Sequence, residues 1–138
     1  MIYIGIDPGV KTGVAVSSGG KLKEVKTMRI HQALALVLSY ANEFGKHKIT
    51  LVVEDPNTYV YRRGKSQASQ AKAQGAGSVK RDFKIWEDFA ADYGIGFVAK
   101  DVKTIRTKVT APAFKSLTGW AERTSNHSRD AAMMVYGM

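Results

Sequence analysis

The stretch "ITLVVE", residues 49–54, is apolar almost without interruption and rich in β-branched side chains. Such a run does not alternate between core and water. It predicts a strand buried on both faces, which requires further layers above and below it. Around this strand the rest of the chain falls into place. Ile2–Asp7 alternates, Pro8 and Gly9 follow, and 12–18 is apolar again, which predicts two strands joined by a tight turn. Ser17-Ser18-Gly19-Gly20 predicts a hairpin into a third strand at 21–28. Leu34, Leu38 and Ala41, with Val37 and Tyr40 beside them, make a helical stripe over 31–44 that Gly45 stops. A long helix is predicted over 66–93, where Ala68, Ala71, Gly75, Val79, Trp86, Phe89 and Tyr93 recur at helical spacing. Gly75 and Gly77 weaken that helix and predict a close approach there. A fifth strand follows at 95–99, then one or two short helices in 102–117 broken at Pro112. A last helix at 128–136 is capped by Ser125 or Asn126. This order predicts an α/β fold: a mixed five-stranded sheet, three strands in an antiparallel meander plus parallel strands, flanked by helices.

The 138 residues, 44% of them hydrophobic, suit one domain over 1–138, with no repeat, low-complexity segment or linker. There are no cysteines, which excludes a disulfide scaffold, a Cys-based zinc site and a thiol nucleophile, and fits a reducing compartment. No basic stretch leads into a long apolar run at the N-terminus, and no run approaches the ~20 residues of a membrane span. The expectation is a cytoplasmic protein without membrane attachment. Lys and Arg number 21 against 12 Asp and Glu, a net charge of +9. A small domain this basic fits a polyanionic partner, nucleic acid above all. The charge is also clustered. Arg62, Arg63, Lys65, Lys72, Lys80, Arg81 and Lys84 face only Asp82 in 61–84, and Lys100, Lys103, Arg106, Lys108 and Lys115 face only Asp101 in 100–115.

Three acids stand out by context. Asp7 ends the first strand, Glu54 ends the fourth, and Asp130 lies in the first turn of the last helix, three residues after His127 and on the same helix face. Sites in open α/β sheets form beyond the strand ends, so neighbouring, parallel first and fourth strands would bring Asp7 and Glu54 together. Each residue also has an ordinary reading: Asp7 as a turn residue, Glu54 paired with a lysine, Asp130 favouring a helix N-terminus, His127 in a surface loop. Taken together with the basic segments, they point to one joint site. Clustered carboxylates repel unless a divalent ion neutralises them, and oxygen ligands suit Mg²⁺ or Mn²⁺. Two such ions ~3.5–4 Å apart can activate water and stabilise the leaving oxygen of a phosphodiester.

"IGIDPGVKTGVAV", "LVVED" and "HSRDAAMMV", in this order, resemble the three acidic motifs of RuvC-type Holliday junction resolvases, within the ribonuclease H-like superfamily. The resemblance spans nearly the whole chain, and "KAQGAGSV" is similar to the Gly-containing helix through which that family dimerises. It implies a metal-dependent endonuclease that resolves four-way DNA junctions using two Mg²⁺ or Mn²⁺ ions per site. Asp7 would bridge both ions, and Glu54 and Asp130 would each hold one. His127 would bind metal or assist proton transfer. Tyr59 or Tyr61 would stand where relatives carry an aromatic wedge. Arg62, Arg63, Lys65, Lys72 and Lys80 lie in the basic segment beside it, while Lys103, Lys108 and Lys115 (in "FKS") lie where family lysines contact phosphates. A homodimer through the helix 66–93 would supply two sites. The chain is shorter than typical bacterial relatives, as a compact phage or divergent form would be. The alternatives are a YqgF-like nuclease acting on RNA or branched DNA, and a non-catalytic nucleic-acid-binding module, which would not need the three acids. An actin-like ATPase needs two large lobes that 138 residues cannot supply.

Overall fold

Five strands form one sheet in the order β3-β2-β1-β4-β5. They are β1 (Ile2–Asp7), β2 (Lys11–Ser18), β3 (Lys21–Arg29), β4 (Ile49–Asp55) and β5 (Gly96–Asp101). The helices are α1 (Ile30–Phe44), α2 (Gln67–Tyr93), α3 (Ala111–Thr118) and α4 (Asn126–Val135), and a 3₁₀ turn, Lys46–Lys48, precedes β4. This computed structural model describes residues 1–56, 67–101 and 108–138, with backbone alone over 67–76. β1, β2 and β3 are an antiparallel meander, and β1, β4 and β5 run parallel. The mixed sheet is the one the sequence predicts, with β1 and β4 adjacent.

Alternation assigns each strand residue to a face. Ile2, Ile4, Ile6, Val14, Val16, Leu51 and Val53 meet Ala33 and Val37 of α1 and Phe83, Trp86 and Ala90 of α2. Ala15, Val25 and Val52 face the other way, against Phe114 of α3 and Ala131, Ala132, Met134 and Val135 of α4. Asp7 is one step from Ile6 and Glu54 one step from Val53. Both therefore lie on the α4 face at the carboxyl ends of their strands.

Most boundaries fall within a residue or two of the sequence expectation, and two of the differences bear on the site. Pro112 does not break a helix. It sits in the first turn of α3, where its missing N–H costs nothing, and Thr110 Oγ1 accepts the Ala113 N–H at 3.3 Å. α4 starts at Asn126 because Ser125 is the cap, its Oγ accepting the Ser128 N–H at 3.1 Å. Asp130 thus lies in the second turn, past the reach of helix-terminus electrostatics, so favouring a helix N-terminus does not account for it. A Cβ at Gly77 would meet open space among the described residues, so none of these makes the close approach predicted there, and the surroundings of Gly75 lie outside them. No helix among the described residues is long and apolar enough to cross a membrane.

Candidate active site

The turn after β1 is held by Thr12, whose buried hydroxyl donates to the Gly9 carbonyl at 2.8 Å. This fixes where β1 stops, and Asp7 with it. The opposite wall is α4, and two glycines decide how near it comes. A Cβ on Gly5 would lie 2.3 Å from the Ala131 carbonyl oxygen, and one on Gly13 would lie 2.0 Å from that of His127. Only a residue without a side chain permits such contact of helix backbone with sheet. Gly13 is the cross-strand partner of Asp7, so the contact that admits α4 also delivers His127 to the carboxylate. His127 Nδ1 stands 3.0 Å from Asp7 Oδ2.

Asp7 is largely buried, its side chain 15% exposed. Burial is the main cause that pushes its carboxyl up from 3.8 to about 6. The bond from His127 opposes the shift, while repulsion from Glu54 and Asp130 adds to it. Glu54 and Asp130 are thus near enough to Asp7 for their charge to oppose its ionisation. Asp130 is held from the other side: its Oδ1 accepts the backbone N–H of Lys108 at 3.1 Å. Lys108 has φ 56°, a left-handed conformation costly for a residue with a Cβ. That strain turns an N–H onto the carboxylate, a role the sequence reading, which had its side chain on phosphate, does not contain.

Arg129 is a further residue the sequence reading misses. It is buried, and its Nε donates to the Val109 carbonyl at 2.8 Å. Its Nη1 donates to Thr124 Oγ1 at 2.9 Å, and Nη2 reaches the Asn126 side chain. One guanidinium therefore ties the segment holding Asp130 to the start of the helix carrying His127. The only sequence signal was an arginine on the apolar face of a short helix. Beside it opens a cleft of about 430 Å³ lined by Lys108, Val109, Thr110, Asn126, His127 and Asp130 among others.

The donor set of carboxylates and one imidazole fits a hard divalent cation, which would neutralise a carboxylate that burial and two neighbours now penalise. Among the described residues, however, no group of three or more His, Asp or Glu side chains is already drawn together tightly enough to hold an ion. Glu54 is half-buried at the end of β4. Lys100, opposite it on β5, donates its Nζ to the Met134 carbonyl at 2.7 Å.

The predicted DNA-contact residues divide. Lys108 is exposed at the cleft. Lys115 is exposed in the last turn of α3, on the α4 side of the sheet. Lys80 is exposed on α2, with the sheet between that helix and α4. Tyr59, Tyr61, Arg62, Arg63, Lys65 and Lys103, and the side chain of Lys72, lie outside the described residues.

No protein-family model and no curated protein sequence matches the chain. Among solved structures it is similar to "T. thermophilus RuvC in complex with Holliday junction substrate", with a TM-score of 0.58, 98% of this chain and 90% of that chain covered, and 18% identity. The fold is therefore ribonuclease H-like, the architecture the sequence motifs imply.

Proposed function

We propose that the chain is a metal-dependent endonuclease acting on branched DNA, four-way junctions in particular. One observation carries this reading. The largely buried Asp7 lies at the carboxyl end of β1, 3.0 Å from His127 and within range of repulsion from Glu54 and Asp130, on the face where α4 is pressed against the strand backbone. A binding module would have no use for that repulsion. The net charge of +9 supports an anionic substrate, and the fold neighbour was solved with a Holliday junction.

Asp7, Glu54 and Asp130, with His127, would hold Mg²⁺ or Mn²⁺. When bound, the ions would neutralise the acids, lower the pKa of attacking water and stabilise the leaving oxygen. The chain's own part is positioning. His127 Nδ1 holds one oxygen of Asp7, leaving the other for a cation. Lys108 N–H does the same for Asp130. Asp7 must be ionised to serve, and its raised value of about 6 confines full ionisation to neutral and alkaline solution when no cation is present. Symmetric cutting of a junction would need two such sites, which a homodimer through α2 would supply. Among the described residues nothing covers Gly77, which is where a second helix would approach.

The test is cleavage of a synthetic four-way junction with Mg²⁺, beside duplex, flap and RNA–DNA hybrid controls. Paired nicks at the junction and slower cutting of the controls are expected. Preferential cutting of the hybrid would favour the RNA-processing alternative, and no cutting of any substrate would leave only a binding role.

A further inference from the structure

We propose that Lys11 and Arg29 form a second nucleic-acid contact, a subsite for the phosphodiester backbone at the meander edge of the site. This rests on the nuclease reading and deepens it. The two residues are absent from the basic segments that the sequence singles out, and only the strand register brings them together.

Asp7 pairs with Gly13, and Gly13 with Thr27, in one row across β1, β2 and β3. Two residues further along β2 and β3, the next row on the same face pairs Lys11 with Arg29. At about 3.3 Å per residue, these cations stand about 7 Å along the strands from the row of Asp7. Both are exposed. Like charges directly opposite each other destabilise a strand pair. Among the described residues neither cation has an ion-pair partner to offset this. The arrangement mirrors the acids beside it: a repulsion that an oppositely charged ligand would relieve.

A groove gives that ligand a place. It measures about 540 Å³ and is lined by Val10, Lys11, Thr27, Met28, Arg29 and His31 among others, with no carboxylate among the described residues of its wall. Val10, at the turn that follows Asp7, is 80% exposed and forms an apolar lip between the acids and the groove. A polyanion lying across the acid cluster would leave over this lip into a channel that is basic on one side and apolar on the other. Contacts from two cations to phosphate position a strand without reading its bases, so the pair adds affinity without sequence preference.

The test uses the full chain in EDTA, with fluorescent four-way junction and duplex DNA, and anisotropy measured across a salt series. Lys11→Ala with Arg29→Ala is expected to weaken both DNAs by about tenfold and to reduce the steepness of log affinity against log salt by about 1 to 2. Lys46→Ala with Lys48→Ala removes the same charge from exposed residues at the far end of the sheet, before β4, and is expected to change affinity much less. Lys11→Arg with Arg29→Lys should restore binding, and thermal melts show that each variant folds. Equal losses in the two alanine pairs would reduce the effect to net charge and overturn the subsite. So would an unchanged affinity, a wild-type chain that binds neither DNA, or full displacement of DNA by millimolar inorganic phosphate, which would mark a free-phosphate site. Loss of binding to phosphatidylserine vesicles with DNA binding intact would assign the groove to a membrane surface instead and overturn it as well. A variant that binds normally while wild type cleaves junctions sinks the subsite alone. A wild type that binds through these residues yet cuts nothing sinks the nuclease reading alone.

Discussion

The two faces of the sheet are built on opposite rules. On the side of α1 and α2, large apolar side chains fill the gap: Ile4, Ile6, Leu51 and Trp86 are all fully buried. The helices there stand off at side-chain distance, and the face contributes mainly hydrophobic burial. On the side of α4, glycines at 5 and 13 replace side chains, and the helix backbone lies almost on the strands. That face forgoes some burial and gains closeness, and closeness brings His127 and Asp130 to Asp7. The proposed site sits on the face with fewer apolar atoms because a helix held off by leucines could not deliver short polar side chains to a strand end.

The comparison can be broken by exchanging what each face tolerates. The largest effect is expected from Gly13→Ala. Its methyl group would collide with backbone, which cannot swing away as a flexible side chain can. Displacing α4 should cost more than the about 1–3 kcal/mol typical of overpacking and should remove His127 from Asp7. Melting and cleavage are expected to fall together, and a normal melt with normal cleavage would show that α4 does not need this contact. On the other face, Leu51→Ala is expected to cost about 2–5 kcal/mol by leaving a cavity. Below the melting transition, cleavage by the folded fraction should stay near wild type. A proportionate loss of turnover in fully folded protein would mean that the faces are not separate.

A smaller effect is expected from Arg129→Lys. Lysine keeps the charge but cannot reach Val109, Thr124 and Asn126 at once. Turnover should drop about tenfold with junction affinity little changed, because this residue positions others and touches no DNA. Loss of affinity without loss of turnover would instead make Arg129 a DNA contact. The smallest effect is one of stability. The folded chain binds the Asp7 proton more tightly than the unfolded chain, since its value is about 6 against an ordinary 3.8. Ionising Asp7 therefore lowers stability as pH rises from about 4 to about 6, with no further loss above. Asp7→Asn lifts that cost, about 1–2 kcal/mol after allowing for residual exposure. In EDTA the variant should melt above wild type at neutral pH, and the gap should close as pH falls toward 4. A variant that melts lower at neutral pH would show that Asp7 is stabilised by its His127 contact more than it is penalised by burial.

The difference between the faces also explains what could be read from the chain. Ile2–Asp7 was legible to the residue because alternation and a Pro-Gly turn bound it at both ends. That Asp7 and Glu54 lie at the same end of the sheet followed from two adjacent parallel strands ending alike. What needed register or packing was not legible. Lys11 and Arg29 are 18 positions apart and meet only because β2 and β3 pair as they do. Gly5 and Gly13 carry no sign in the sequence itself of the helix backbone that lies against them. Ser125 and Asn126 are both good caps, and the choice between them moved Asp130 from the first turn to the second. The glycines of α2 carried a real signal of low side-chain bulk, but no partner for Gly77 is found in this chain among the described residues.

The most direct test is paired measurement of junction cleavage and junction binding for wild type and Asp7→Asn in Mg²⁺. Asn keeps the shape and can still accept from His127, but it removes the charge that the other acids repel. Cleavage is expected to fall by about a hundredfold or more, a loss of about 3 kcal/mol or more in transition-state stabilisation. Affinity for the junction should stay within about twofold, since no cation that meets phosphate has changed. Wild-type cleavage by Asp7→Asn would contradict the account at its centre, because the buried carboxylate that closes β1 would then have no part in the chemistry.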